Sequence, residues 1–126
     1  MRFDIVTIFP EFFDSPLKTS LLKKASDKGL IGFYVHDIRK ETLDKHHKTD
    51  DTPYGGGAGM VMKPEPLFAA VEALREDGEA RVVLLSPQGR RFDQAKAREL
   101  AALDRIILLC GHYEGVDQRV VDHLAD

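Results

Sequence analysis

The stretch Val82-Val83-Leu84-Leu85-Ser86-Pro87-Gln88-Gly89 decides the fold class of this chain. Its four leading apolar residues predict a short strand that is buried on both faces, as in a parallel sheet. The Ser-Pro-Gln-Gly sequence that follows predicts a loop at the carboxyl end of that strand. Ligands of open α/β sheets bind beyond the carboxyl ends of the strands, so this loop is a candidate binding site.

Strands and helices are predicted to alternate along the rest of the chain. The predicted strands are 2–9, 30–38, 82–85 and 106–110, and the predicted helices are 10–29, 64–77, 94–103 and 117–125. Pro16 is a point where the first helix can divide into two pieces. The pattern predicts the α/β class, with a mostly parallel sheet, flanking helices and right-handed crossovers. Residues 39–59 form a long segment predicted to be irregular, which a compact domain rarely carries without a functional reason.

Composition limits the class of protein. The 126 residues suffice for one domain, and 43% hydrophobic with 31% charged residues exclude a disordered or collagen-like chain. The lack of a long apolar run and of a signal sequence predicts a cytoplasmic protein with no membrane partner. A net charge of −3 argues against non-specific coating of nucleic acid, but leaves local recognition open. Cys110, the single cysteine, excludes an internal disulfide and is predicted to be a buried small hydrophobe.

A second loop, Gly111-His112-Tyr113-Glu114-Gly115, follows the predicted strand 106–110. Together with the loop after Leu85 it predicts a pocket for a nucleotide-like ligand, because glycines admit a ligand to the backbone. Glu114 or Asp117 could accept hydrogen bonds from a ribose or bind a cation. Asp117 could instead be the N-cap of the last helix.

The run Tyr54-Gly55-Gly56-Gly57-Ala58-Gly59 lies within the long irregular segment. It is either a surface that another molecule approaches closely or a flexible loop tip, and its spacing matches neither a P-loop nor a dinucleotide-binding motif. The adjacent His46 and His47 make a poor chelating pair, so no metal site is predicted. His36 is interpreted as a hydrogen-bonded core or rim histidine. The basic clusters 39–40, 45–48 and 90–91 can contact phosphates or form ordinary solvated surface.

Four motifs resemble those of one enzyme family. They are residues 4–11 (Asp-Ile-Val-Thr-Ile-Phe-Pro-Glu), 50–60 around the glycine run, 85–89 (Leu-Ser-Pro-Gln-Gly) and 110–117 (Cys-Gly-His-Tyr-Glu-Gly-Val-Asp). In this order they resemble the bacterial tRNA (guanine-N1)-methyltransferases of the TrmD family, in the SPOUT class of knotted methyltransferases. The resemblance implies methyl transfer from S-adenosylmethionine to N1 of guanosine 37 in tRNA. It also implies a trefoil knot and a homodimer with active sites at the subunit interface.

The resemblance implies functional roles for particular residues. The cofactor-binding residues would be Leu84, Leu85, Ser86, Pro87, Gly111, Tyr113, Glu114 and Gly115. The substrate-binding residues would be Tyr54, Gly55, Gly56, Gly57, Gly59 and His46. The family's catalytic base is an aspartate that corresponds to a position beyond Asp126, so no catalytic residue is assigned within the chain.

The resemblance is to the N-terminal portion of the family only. Residues 1–126 are therefore expected to form part of the cofactor-binding domain, without the segment that completes the knot and without the C-terminal tRNA-binding domain. The chain alone is expected to be inactive or nearly so. Two alternatives remain open: a non-catalytic RNA- or nucleotide-binding module, and a dimerisation scaffold for a separately supplied half.

Overall fold

A four-stranded parallel sheet organises the molecule. The computed structural model describes residues 1–41, 50–51, 61–62, 64–111, 115–116, 118–123 and 125–126. The strands are β1 (Arg2–Thr7), β2 (Gly32–Asp37), β3 (Asp50–Asp51), β4 (Val61–Met62), β5 (Arg81–Leu85), β6 (Arg105–Cys110) and β7 (Gly115–Val116). In the main sheet the order is β2-β1-β6-β5, and each neighbouring pair is parallel. The predicted parallel α/β class is confirmed.

The helices lie where the chain crosses between these strands. They are α1 (Asp14–Leu17), α2 (Ser20–Asp27), α3 (Pro64–Arg75), α4 (Gln94–Ala101) and α5 (Gln118–His123), with 3-10 turns at Pro10–Phe13 and Ile38–Glu41. The predicted helix 10–29 is divided, and the break follows Pro16 at residues 18–19. Helix α2 ends at Asp27, and Gly29 is the C′ residue, as predicted. Its φ of 72° allows the Leu30 amide to donate to the Ala25 carbonyl at 3.0 Å.

One face of the sheet carries the hydrophobic core. Val82, Ile107 and Leu109 of the sheet pack in one cluster with residues of α3 and α5. The cluster consists of Val6, Ile8, Ile38, Leu67, Ala70, Val71, Leu74, Val82, Ile107, Leu109 and Val120. Helical spacing in the sequence predicts that Leu67, Phe68, Val71 and Leu74 lie on the inward face of α3. Leu67, Val71 and Leu74 are buried, as predicted, and Phe68 packs partly buried against the cluster.

The sequence predicts that Val120, Val121 and Leu124 lie on one side of the last helix, and this prediction is only partly right. Leu124 lies outside the described residues. Val120 is fully buried, whereas Val121 is 39% exposed. Consecutive residues on a helix are rotated by about 100°, so the two side chains cannot both face the sheet.

The opposite face of the sheet is covered less completely. A cavity of about 460 Å³ lies between α4 and the sheet, lined by Phe3, Val83, Leu85, Phe92, Leu100 and Ile106 among others. The two-sided burial predicted for β5 is wrong, because Leu85 is 53% exposed. Strand β5 is the outermost strand of the main sheet in the described residues, and one of its faces borders this cavity.

A buried carboxylate joins three strands beside the core. Asp4 of β1 is fully buried and accepts hydrogen bonds from His36 Nε2 at 2.8 Å, Arg105 Nε at 2.9 Å and Arg2 Nη2 at 3.1 Å. Arg105 also donates to the Gly78 carbonyl at 3.0 Å. Burial alone would raise the pKa of Asp4, but these hydrogen bonds outweigh it and hold the pKa below its usual value. The interpretation of His36 as a hydrogen-bonded rim histidine is confirmed.

A second, smaller sheet has the order β3-β4-β7. Strand β3 is antiparallel to β4, and β4 is parallel to β7. The prediction that residues 39–59 are wholly irregular is therefore wrong, since this segment contributes part of a 3-10 turn at its start and the strand β3.

Candidate functional site

The two predicted cofactor loops begin side by side. Leu85 at the end of β5 is opposite Cys110 at the end of β6, so Ser86 and Gly111 leave adjacent parallel strands. Neighbouring strands lie about 4.8 Å apart, which brings the two loop origins within reach of one ligand. Ser86 and Gly111 are both exposed at this edge. The structure thus brings together the starts of the two loops that the sequence singled out.

The loop after β5 is held at both ends. The Gln88 amide donates to Ser86 Oγ at 3.1 Å, and Gly89 has a φ of 85°, a left-handed conformation that favours glycine. At the far end Asp93 caps α4 by accepting a hydrogen bond from the Lys96 amide at 2.9 Å. Residues 86–93 therefore form a loop between β5 and the capped helix α4, with a hydrogen bond that fixes the conformation at each end.

The four predicted cofactor residues of this loop have different surroundings. Leu84 packs against the hydrophobic core, so its side chain contributes to the stability of the fold. Leu85, Ser86 and Pro87 are exposed at the carboxyl edge of the sheet. An exposed leucine next to an exposed backbone loop suits a ligand with an apolar face and a polar edge, as an adenine has.

The small sheet brings the residues that flank the glycine-rich segment to the end of the second loop. Asp51 of β3 is opposite Val61 of β4, and Val61 is opposite Gly115 of β7. The two residues that flank segment 52–60 are therefore paired with each other, and one of them is paired with the strand where the second loop ends. Of the predicted site residues, Gly115 is the one that the structure places here.

Eight predicted site residues lie outside the described residues. They are Tyr54, Gly55, Gly56, Gly57, Gly59 and His46 of the predicted substrate site, and Tyr113 and Glu114 of the predicted cofactor site. The same holds for Asp117, for which a ligand-binding and a capping role were both open. Their predicted roles stay predictions.

The sequence reasoning missed an aromatic and cationic pair at the same edge. The Arg39 guanidinium carbon lies 5.5 Å from the centroid of the Phe9 ring. The Phe9 amide donates to Thr7 Oγ1 at 3.1 Å, and the Arg39 amide donates to Asp37 Oδ1 at 2.9 Å. The sequence does carry a signal for this pair, because Phe9 and Arg39 each lie two residues after the end of a strand, and the two strands, β1 and β2, are parallel neighbours.

The described residues add little further chemistry at this edge. Cys110, predicted to be a buried small hydrophobe, is only partly buried, and this burial raises the pKa of its thiol, which disfavours a role as a nucleophile. Within the described ranges no group of three or more His, Cys, Asp and Glu side chains is placed to hold a metal ion. Among the helices described, none is long and apolar enough to cross a membrane.

Comparisons with known proteins agree on one family. The family model described as "tRNA (Guanine-1)-methyltransferase TrmD" matches residues 1–126. A tRNA (guanine-N(1)-)-methyltransferase of Dehalococcoides mccartyi is 58% identical over 99% of this chain and 51% of its own length. The enzyme of the same name from a Cyanothece species is 57% identical over 98% of this chain and 52% of its own length.

A solved structure matches the fold as well. The crystal structure of tRNA (m1G37) methyltransferase from Aquifex aeolicus superposes with a TM-score of 0.89 at 37% identity. The match covers 97% of this chain and 56% of that one. The chain therefore spans about half the length of the relatives that it matches.

Proposed function

Because the chain belongs to the tRNA (guanine-1)-methyltransferase family, we propose that it forms the cofactor-binding part of an enzyme that methylates N1 of guanosine 37 in tRNA. The methyl donor in this proposal is S-adenosylmethionine. The active form is a homodimer, and the enzyme acts in the cytoplasm. The observation that carries the proposal is the adjacent, exposed origin of the two loops at Ser86 and Gly111.

The residues present fit an adenosine-containing cofactor. Leu85 is 53% exposed and offers an apolar contact for the face of an adenine. Backbone groups of Ser86, Pro87 and Gly111 follow the same two strand ends and can bind the polar edge of the base. Gly115, together with Tyr113 and Glu114, would contribute the remaining wall, while Leu84 supports the loop from the core.

Methyl transfer to N1 of guanine requires correct positioning of the two reactants and one general base. When bound, S-adenosylmethionine supplies an electrophilic methyl group on a sulfonium. N1 of guanine carries a proton at neutral pH, so a base must remove it as the bond to the methyl group forms. The two loops hold the ligand at the sheet edge, and segment 52–60 borders the target base in this proposal. Its flanking residues Asp51 and Val61 are paired, and Val61 is opposite Gly115.

The base is expected from the family's other half, because the resemblance assigns it to a position beyond Asp126. The 126-residue chain alone should therefore bind the cofactor weakly and transfer little or no methyl group. Isothermal titration of S-adenosylmethionine into this chain tests that expectation, and low-micromolar binding would contradict it.

Reconstitution tests the activity. The chain is combined with the C-terminal half of the Dehalococcoides mccartyi relative, and incorporation of labelled methyl groups is measured with tRNA carrying guanosine or adenosine at position 37. We expect methylation of the guanosine substrate only. No incorporation with the pair, although the whole relative is active, would contradict the proposal; tRNA binding that does not depend on the cofactor would then favour a non-catalytic RNA-binding module.

A matched pair of variants locates the cofactor site. Leu85→Arg places a charge at the proposed adenine contact and should weaken cofactor binding by the reconstituted pair at least about tenfold, because a desolvated charge opposes an apolar contact. Leu21→Arg makes the same change at a site that is 75% exposed on α2 and should leave binding unchanged. Equal effects of the two variants would contradict the assignment.

A further inference from the structure

Three consecutive residues at the candidate site have no role in the proposal so far. Arg90, Arg91 and Phe92 follow Gly89 in the loop between β5 and α4, and all three are exposed. The Phe92 side chain is 71% exposed. We call these residues the Arg90–Phe92 surface.

The two arginines differ from those that stabilise the fold. Arg2 and Arg105 pair with Asp4, and Arg81 pairs with Glu99. Neither Arg90 nor Arg91 forms a salt bridge or a hydrogen bond within the part of the chain that the structure describes. Their guanidinium groups are therefore open to an external anion.

The loop presents these side chains at a defined place. The turn at Ser86 and Gln88 fixes one end of the loop, and the Asp93 cap of α4 fixes the other. Arg90 and Arg91 thus belong to the loop that leaves the carboxyl end of β5, the edge of the sheet where the cofactor loops begin.

Positive charge flanks this edge on its other side too. The exposed Arg39 and Lys40 follow β2, the strand at the opposite end of the main sheet from β5. Three strand spacings separate β2 from β5, or about 14 Å. A chain with a net charge of −3 therefore carries basic groups on both sides of its candidate site.

The chemistry of the Arg90–Phe92 surface fits RNA. An arginine guanidinium binds phosphate through two parallel hydrogen bonds, and an exposed aromatic ring stacks on an unpaired base. We propose that Arg90 and Arg91 bind phosphates of the RNA substrate near the target nucleotide and that Phe92 stacks on one of its bases. This inference rests on the proposed function, since it names the tRNA contact made by the same edge.

Binding of labelled tRNA to the 126-residue chain tests the inference. Fluorescence anisotropy at a series of salt concentrations gives the dissociation constant and the slope of log K against log salt. The double variant R90A/R91A should bind more weakly and should have a slope shallower by about 1.4, since each lost phosphate contact to a single strand contributes about 0.7. R90K/R91K should keep most of the slope, because it keeps both charges.

Two further variants make the test specific. K24A/K28A removes two exposed lysines of α2 and the residue after it, near the opposite edge of the sheet, and should leave both the affinity and the slope nearly unchanged. Phe92→Leu should weaken binding about fivefold or more without changing the slope, because stacking does not release counterions. Circular dichroism checks that each variant is folded.

Several results would overturn the inference. An unchanged slope in R90A/R91A, or an equal loss in K24A/K28A, would refute the phosphate contact, and unchanged affinity in Phe92→Leu would refute the stacking. Equal losses of affinity for tRNA and for heparin would show a general anion surface instead. If the unsubstituted chain binds no tRNA, the inference fails, and methylation by the reconstituted pair decides separately whether the methyltransferase proposal fails with it.

Discussion

At the scale of single residues, Asp4 determines how three strands are joined. It has no exposed surface, and it is bonded to side chains of His36 on β2 and Arg105 on β6, which are 32 and 101 positions away in sequence. Sequence reasoning assigned His36 correctly as a hydrogen-bonded residue. It could not identify the partner, because nothing local in Asp4 distinguishes a buried carboxylate from a surface one.

Removing the charge of Asp4 should destabilise the fold strongly. Asp4→Asn leaves the Arg105 guanidinium buried without its counter-ion, so we expect the free energy of unfolding to fall by about 3–5 kcal/mol. Asp27→Asn, which breaks the exposed pair with Lys23, should cost less than about 1 kcal/mol. Urea unfolding of both variants measures the difference. Equal losses in the free energy of unfolding would show that Asp4 contributes no more to stability than an exposed ion pair does.

The lowered pKa of Asp4 also predicts a pH dependence. A carboxylate whose pKa is lower in the folded than in the unfolded state contributes stability above the unfolded value of about 3.9, and loses it as the pH falls through the folded value. The stability difference between the unsubstituted chain and Asp4→Asn should persist down to about pH 5 and shrink below about pH 4. Urea unfolding across this range measures it. A difference that shrinks already between about pH 7 and 5 would indicate a raised pKa.

At the scale of elements, the strand and helix order could be read from sequence because apolar runs and helical spacing are local signals. The exposure of β5 could not be predicted from the sequence. Four apolar residues look the same on an inner and on an outer strand, and the position of β5 at the edge depends on pairings of residues far apart in sequence. The short strands β3, β4 and β7 were missed for a related reason, since two residues carry no periodicity.

The start of α4 is stabilised by the hydrogen bond between the Asp93 side chain and the Lys96 amide. The helix has no fully buried side chain, so the Asp93 cap contributes a large share of what holds its start. Asp93→Ala should lower the free energy of unfolding by about 1 kcal/mol, whereas Asp93→Asn should retain most of it. Hydrogen exchange of the α4 amides should quicken in the alanine variant.

Asp104→Ala is the matched control for this cap. Asp104 is an exposed acid outside any helix, so its replacement should change stability by no more than about 0.5 kcal/mol. If Asp93→Ala lowers the free energy of unfolding no more than Asp104→Ala does, the hydrogen bond to the Lys96 amide does not contribute measurably to stability.

At the scale of the whole molecule, the two faces of the sheet are unequal. Burial is concentrated between the sheet and helices α3 and α5, while the α4 side retains the cavity of about 460 Å³. The candidate site was predictable where loops follow strands, at Ser86 and Gly111. The position of Gly115 opposite Val61 was not predictable, because neither sequence carries a local signal for the parallel pairing of β4 with β7.

The unequal packing predicts where truncation is costly. Leu109→Ala removes a fully buried side chain from the packed face and should lower the free energy of unfolding by about 2–5 kcal/mol. Leu21→Ala, at a leucine that is 75% exposed, should change it by no more than about 0.5 kcal/mol. Urea midpoints compare the two, and similar losses would mean that the stabilising core lies elsewhere.

The pairing of β1 with β6 at the centre of the sheet has a consequence for how the chain folds during synthesis. Arg2 is opposite Arg105 in that pairing, so the middle of the sheet closes only after about a hundred residues have emerged. Until then β1 and β2 can pair with each other but have no inner neighbour on the other side of β1. Such long-range pairings slow folding, and the growing chain exposes one edge of β1 until β6 has been synthesised. We expect the nascent chain to depend on chaperones until β6 leaves the ribosome.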